Sequence, residues 1–373
     1  MEEVIALVLA AGKGTRMKSK LPKVLHKAGG VPMVGQVLRA VKDAGTKREI
    51  VVVGFGAEAV TAYVGETAET VVQKEQLGTG HAVLQAESLL QGEKGILLVT
   101  CGDTPLVRTE TFRALLDCHK KTQASATVLT ACMPDPAGYG RVIRSADGKV
   151  SKIVEQKDGT SQELAVNEVN AGIYCFELPE LWELLHRIGN NNAQGEYYLT
   201  DIIGMLVADG KTVSAVAAED YRETLGVNSR LQLAQAEKIL RERKLEELMT
   251  EGVTVQDPSN TYVETTVTVG RDTVLYAGTV LEGRTVIGEN CEIGPFVRLT
   301  DVVMGDGNSL QYTYAHDCTI ENNLTAGPFV HFRPKTHIED HVKVGNFMEV
   351  KNSHIGEGTK FPHLSYIGDS DVG

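Results

Sequence analysis

The chain has 373 residues, 42% hydrophobic and 23% charged, with a formal net charge of -12. That length suggests two or three domains, the acidity argues against a nucleic-acid partner, and no run reaches the roughly 18 apolar residues of a membrane span. Six cysteines without C-x-x-C spacing argue against a disulfide framework or zinc ribbon and for reduced thiols in the cytoplasm, and the acidic start is too short for a signal peptide.

Val4 to Leu9 reads as an apolar strand, followed by a loop over residues 9–23, LAAGKGTRMKSKLPK. Gly12 and Gly14 open the loop, and Lys13, Arg16, Lys18, Lys20 and Lys23 follow within eleven residues. Glycines let a backbone approach a ligand and present its N–H groups. Strand, glycine turn and cations together predict a polyphosphate site; the plainer alternative is a tight turn with a solvated basic run behind it. No glycine precedes Lys13 at Walker A spacing, and Met17 stands where a dinucleotide loop needs its third glycine.

Pro32 to Ala44 reads as a helix, with Met33, Val34, Val37, Leu38 and Val41 on one face and Gly45 past its end. Short strands follow at Ile50–Val53, Thr70–Val72 and Ile96–Val99, with helical segments around 57–64 and 79–90. Strands alternating with helices predict an α/β, doubly wound, mostly parallel and Rossmann-like sheet. Ligands of such sheets bind beyond the carboxyl ends of the strands. The 12–23 loop, Gln73–Thr79 and Gly102–Asp103 all fall on that rim.

Residues 228–250 form a charged helix without Gly or Pro, which Asn228 or Ser229 can cap. Beyond about residue 263 an aliphatic or aromatic residue recurs every six: Val269, Leu275, Leu281, Ile287, Ile293 and Leu299, then after a five-residue step Met304 and Leu310. The register is lost over 311–319 and resumes at Ile320, Ala326, Phe332, Ile338, Val344 and Val350, then Ile355, Phe361 and Ile367. This hexapeptide period predicts a parallel β-helix of about six coils. It resembles the left-handed hexapeptide β-helices, whose prisms commonly form trimers. No polar capping segment follows the last hexad, so the natural protein is expected to continue past Gly373. The expected domains are 1–229, a helical linker at 230–250, and an incomplete β-helix at 251–373.

GKGTRM with LPK matches the sugar-phosphate nucleotidyltransferase pattern. QKEQLGTGHA, CGDTPL, GYGRV, IVEQKD, EVNAGIY, NNNAQGEYYLTDII and GVNSR then occur in order, and KFPHLSYIGD lies in the β-helix. Together they resemble the bacterial bifunctional N-acetylglucosamine-1-phosphate uridyltransferase/glucosamine-1-phosphate N-acetyltransferase family over the whole chain. The resemblance implies uridylyl transfer from UTP to N-acetylglucosamine-1-phosphate, a product that feeds peptidoglycan synthesis. It implies that Leu9, Ala10, Ala11, Gly12, Arg16 and Lys23 handle the nucleotide's phosphates. Gln73, Gly78 and Thr79 would meet uracil, and Gly140, Glu155 and Asn170 the sugar. Asp103 and Asn228 would hold Mg2+, and Asn228 would also touch the nucleotide. In the β-helix, His363 would be the general base toward glucosamine-1-phosphate, with Arg333, Lys351 and Tyr366 on its phosphate.

Arg333 and Lys351 lie eighteen residues apart, each behind the apolar residue of its hexad. They therefore stack about 4.8 Å apart, and two unpaired cations that close call for an anion. The family's acetyl-CoA contacts lie beyond residue 373, so acetyl transfer is expected of a full-length enzyme rather than of this chain. Three rivals stay open: an ADP-glucose or dTDP-sugar pyrophosphorylase, a non-catalytic assembly subunit, and a trimeric β-helix resembling the γ-class carbonic anhydrases, with zinc held between subunits by His331 and His337.

Overall fold

β1, Val4–Ala10, is apolar along its whole length, as a strand covered on both faces must be. In the structure, a computed structural model, residues 3–373 are described, and the acidic start at Met1 and Glu2 lies outside them. The chain divides into two units. One runs to Ala28 and resumes over Pro32–Ala236; the other comprises Gly29–Val31 and Glu237–Gly373.

The first unit is built on one nine-stranded sheet. After β1 come β2 (Arg48–Val53), β3 (Glu69–Val72), β4 (Gly95–Cys101), β5 (Ala126–Cys132), β6 (Arg141–Arg144), β7 (Val150–Val154), β8 (Glu168–Leu178) and β9 (Val213–Ala217). The main order is β9-β5-β8-β4-β1-β2-β3, with the β6–β7 hairpin attached to β8. β1 to β4 are mutually parallel, so Ala10, Val53, Val72 and Cys101 end on one rim. β8 runs antiparallel to both β4 and β5, which makes the sheet mixed rather than parallel throughout.

Alternate residues of the strands feed two cores. Leu7, Ile50, Val52, Leu97 and Val99 face one side. Val8, Val51, Val53, Ile96 and Leu98 face the other, where Met33–Asp43 lays down Val34, Val37, Leu38 and Val41. Burying one such side chain contributes about 1.5–3 kcal/mol, and truncating the buried Phe112 to Ala costs about 3–5 kcal/mol. The helix expected over 79–90 is two short ones, Thr79–Leu84 and Glu87–Leu90.

The second unit starts in the long helix Arg230–Thr250 and continues as a parallel β-helix. Val274 pairs with Glu292, eighteen residues on, and Ser309 with Thr325, sixteen on. One face carries seven strands, from Thr268–Val269 to Asp371–Val372. The helix thus begins earlier than its clearest hexads, at Thr254–Val255, and has seven rungs rather than about six. Each expected apolar residue points inward, and residues from Val263 to Ile355 fill one continuous core. The apparent break at 311–319 is no break: Ala315 is fully buried between Leu310 and Ile320 in two five-residue steps. A small residue held the slot, so the aliphatic period hid it.

Turns at the prism's corners use left-handed backbone. Phe296, Tyr312, Phe329, Phe347 and Leu364 all sit there with positive φ and stay exposed, although bulky residues seldom adopt it. The rings stack rung on rung at centroid distances of 5.3, 5.4 and 5.1 Å, each pair contributing about 0.5–1.5 kcal/mol against that strain.

Candidate functional site

The rim of β1 to β4 opens into a cleft of about 280 Å³. Leu9, Ala10, Ala11, Gly12, Lys23, Gln73, Gly78, Thr79 and Asp103 line it, uniting three separated stretches of sequence. Gln76, within the expected Gln73–Thr79 stretch, also lines it, and so do Val24, Ala82, Cys101 and Glu196, which were not anticipated. Nothing in their residue types marks them; only strand ends and the return of a distant loop bring them there.

Gly14 has φ +56, and a Cβ on it would lie 2.6 Å from the Cβ of Lys23. That absence of a side chain lets Lys23 pack beneath the loop and reach inward. Its ammonium bonds Asp103 Oδ2 and donates to Asn228 Oδ1 at 2.8 Å. Asn228 is therefore not the cap of the helix behind it. Ser229 is, accepting from the Gln232 N–H at 3.2 Å. The Val227 N–H donates to the Asp103 carbonyl at 2.8 Å and ties the segments carrying Asp103 and Asn228 together. Arg16, on the Thr15–Met17 turn, is exposed and does not line the cleft.

Gln73 is buried, its amide nitrogen 3.2 Å from the Gly78 carbonyl and 3.0 Å from His81 Nδ1. Gly78 has φ +117 and lies so close to Tyr197 that a Cβ would meet its backbone at 2.6 Å. The Tyr197 N–H donates to the Leu77 carbonyl, and the Gly80 N–H to the Tyr197 carbonyl, both at 2.8 Å. The Leu199 N–H donates to Thr79 Oγ1 at 3.1 Å. The two long motifs GTGHA and GEYYLTD thus clamp each other.

Gly140, Glu155 and Asn170 form a second group. The Asn170 N–H donates to the Gly140 carbonyl at 2.9 Å, and a Cβ on Gly140 would sit 3.5 Å from Glu155. The register shifts in β8 between Asn170 and Tyr174, and Gly172 there has φ +72. The Asn170 side chain stabilises that bulge, accepting from the Gly172 N–H at 3.0 Å and donating to the Tyr174 hydroxyl at 2.7 Å. Lys157, two residues on from Glu155, bonds Gln194 at 2.9 Å. Thr200 donates to Glu155, and burial first, then the charges of Asp158, Asp201 and Glu196, hold its carboxyl above the usual range. Cys101 joins the two groups, lining the cleft and touching the Gly172 carbonyl. Burial, then the Asp103 charge, pushes its thiol up to about 12, so it supplies no thiolate nucleophile.

On the β-helix, Phe332 pairs with Val350, which sets Arg333 and Lys351 on adjacent rungs. They are not unpaired cations. Arg333 bonds Glu349 at 2.8 Å and Lys351 lies 3.7 Å from Asp369. Tyr366 stands over Glu349 in the next strand, and His363 beside Asn346; both are exposed. His331 and His337 do not converge. His331 stacks on Tyr314 at 5.0 Å, whereas His337 bonds Glu321 at 2.8 Å on another face. Among the described residues no three His, Cys, Asp or Glu side chains of the chain form a metal-holding group.

Residues 6–151 match the family model described as a MobA-like NTP transferase domain, and residues 266–301 that of the bacterial transferase hexapeptide, six repeats. Bifunctional protein GlmU of Geobacillus sp. (strain WCH70) is 54% identical over 99% of this chain and 80% of its own length. The protein of that name from Geobacillus thermodenitrificans is 52% identical over 99% of this chain and 80% of its own length. That from Enterococcus faecalis is 47% identical over 100% of this chain and 81% of its own length. This coverage does not establish the truncation expected from the sequence. With a nucleotidyltransferase-type cleft in one unit and hexapeptide coils in the other, the chain belongs to the bifunctional GlmU family.

Proposed function

We propose that the first unit transfers the uridylyl group of UTP to N-acetylglucosamine-1-phosphate, releasing pyrophosphate and UDP-N-acetylglucosamine. The β-helix transfers the acetyl group of acetyl-CoA to glucosamine-1-phosphate. The observation that carries this is the convergence of the glycine loop, Lys23, Gln73, Gly78–Thr79 and Asp103 in one cleft of a GlmU-family chain. The loss of acetyl transfer expected above rested on where the chain ends, and the comparisons do not support it. The shared name Bifunctional protein GlmU also weighs against a single-activity pyrophosphorylase and a non-catalytic subunit.

A phosphate oxygen of the sugar attacks the α-phosphorus, the bond to the pyrophosphate oxygen breaks, and no enzyme ester forms. Catalysis is then positioning and charge neutralisation. Lys23 and the Leu9–Gly12 backbone cradle the phosphates within the cleft, Arg16 reaches toward them from the exposed Thr15–Met17 turn at its edge, and Gln73, Gly78 and Thr79 read the base. Gly140, Glu155 and Asn170 hold the sugar. The family requires a divalent metal. The carboxylate of Asp103 and amide oxygen of Asn228, already converging on a cation, are the hard donors such an ion needs. We assign the ion as Mg2+; when bound there it neutralises phosphate charge.

In the β-helix, His363 takes the proton from the attacking amine, a task suited to an imidazole near neutral pH. Arg333, Lys351 and Tyr366 hold the sugar's phosphate. Residues 1–229 are the uridyltransferase domain, 230–250 the linker and 251–373 the acetyltransferase domain. The hexapeptide β-helix, a prism that commonly assembles in threes, favours a homotrimer. No described helix is long and apolar enough to cross a membrane, and the free cysteines fit a cytoplasmic site of action.

The test incubates the chain with Mg2+, UTP and N-acetylglucosamine-1-phosphate. UDP-N-acetylglucosamine and pyrophosphate are expected in equal amounts. Absence of product, or preference for another nucleotide or sugar, defeats the reading.

A further inference from the structure

Asp103 and Asn228 aim two oxygens at one point, and the cation at that point is the Lys23 ammonium. The pair is shielded: the Lys23 and Asp103 side chains are 12% and 18% exposed. The Lys23 stem is pinned beneath Gly14. The loop's other cations, Lys13, Arg16, Lys18 and Lys20, are exposed and do not line the cleft.

A divalent ion drawn to the same two oxygens meets a charge already seated there, and two cations at such short range repel strongly. Resting on the metal assignment above, we propose that Lys23 is the resident cation of the metal seat. It must leave Asp103 and Asn228 before a divalent ion can occupy them. The nucleotide's phosphates, bound in the cleft that Lys23 also lines, offer the ammonium its alternative partner. Lys23 therefore acts twice, first as a placeholder that keeps the two oxygens together, then as a phosphate ligand. Metal uptake by the free protein is weak and becomes coupled to nucleotide binding.

The experiment titrates the full chain with Mn2+ alone and follows the loss of the free-ion paramagnetic resonance signal. Wild type is compared with Lys23→Met and Lys23→Gln, each checked for native circular dichroism. Removing the resident charge is expected to tighten Mn2+ binding about tenfold without nucleotide. Equal or weaker binding in both folded variants overturns the exchange. Adding Asp103→Asn to Lys23→Met is expected to abolish the gain. Tight binding that survives it places the ion elsewhere and overturns the metal assignment itself.

Discussion

Thr200 donates its hydroxyl hydrogen to Oε1 of Glu155 across 3.0 Å, and Thr200 is buried. It is a neutral donor facing a carboxylate that burial and the charges of Asp158, Asp201 and Glu196 oppose. Thr200→Val should therefore raise KM for N-acetylglucosamine-1-phosphate about tenfold, the weight of one hydrogen bond to a charged group, with KM for UTP little changed. The acid limb of kcat/KM should move to higher pH. Matched KM increases for both substrates would contradict this.

Glu155 itself should cost stability. Its folded carboxyl titrates above the ordinary value of 4.5, so above pH 4.5 the folded chain binds more protons than the unfolded one. Stability falls as pH rises through that window, and the penalty is complete once Glu155 is ionised. Glu155→Gln should raise stability at neutral pH by about 0.5–2 kcal/mol while weakening sugar binding, as urea melts and substrate kinetics will show.

His119 should produce the opposite slope. Its ring is buried between Thr127 at 2.8 Å and Glu177 at 3.1 Å, and burial, then Lys120, lowers its pKa from 6.5 to about 4. The folded chain binds fewer protons than the unfolded one between these values. Stability is thus full above pH 6.5 and is lost as pH falls toward 4. His119→Gln should flatten that slope, at about 1–3 kcal/mol of stability at neutral pH.

Gly14→Ala meets two obstacles, a φ of +56 and a clash at 2.6 Å with the Cβ of Lys23. The strained backbone alone costs about 1–2 kcal/mol. Uridylyl transfer should drop by more than tenfold, while acetyl transfer, housed in the other unit, should persist.

Gly345→Ala should give the reverse pattern. A Cβ there would lie 1.7 Å from the Pro362 carbonyl, and Pro362 adjoins His363 on the paired strand. Acetyl transfer should be lost with uridylyl transfer intact. Loss of both would mean that the defect spreads through the chain.

Strands β1 to β4 and the hexad core were legible because their apolar residues cluster or repeat at the spacing that their burial requires. β5, β8 and β9 were not read from the sequence, and β8 runs against its neighbours, a pairing no local pattern encodes. Ala315 escaped notice because a single methyl group fills its slot. In the cleft, the glycines and Lys23 carried their own chemistry. Glu196 and Cys101 did not, and the hold of Thr200 on Glu155 joins positions 45 apart in sequence. The partners of Arg333 and Lys351 were equally hidden. Glu349 and Asp369 come alongside only once the coils stack.

Every coil of the prism meets only the coil above and the coil below, through parallel pairing that repeats at nearly constant register. Height and cross-section are therefore independent variables. Deleting Val286–Val302, the lap that separates Val286 from its stacked partner Val303, or any similar lap would shorten the column by one storey and leave the floor plan of the remaining rungs as it was, with Arg333, Lys351 and His363 in the same mutual arrangement. The β-helix is in this sense a spacer whose length evolution can edit in whole laps without redrawing what it carries.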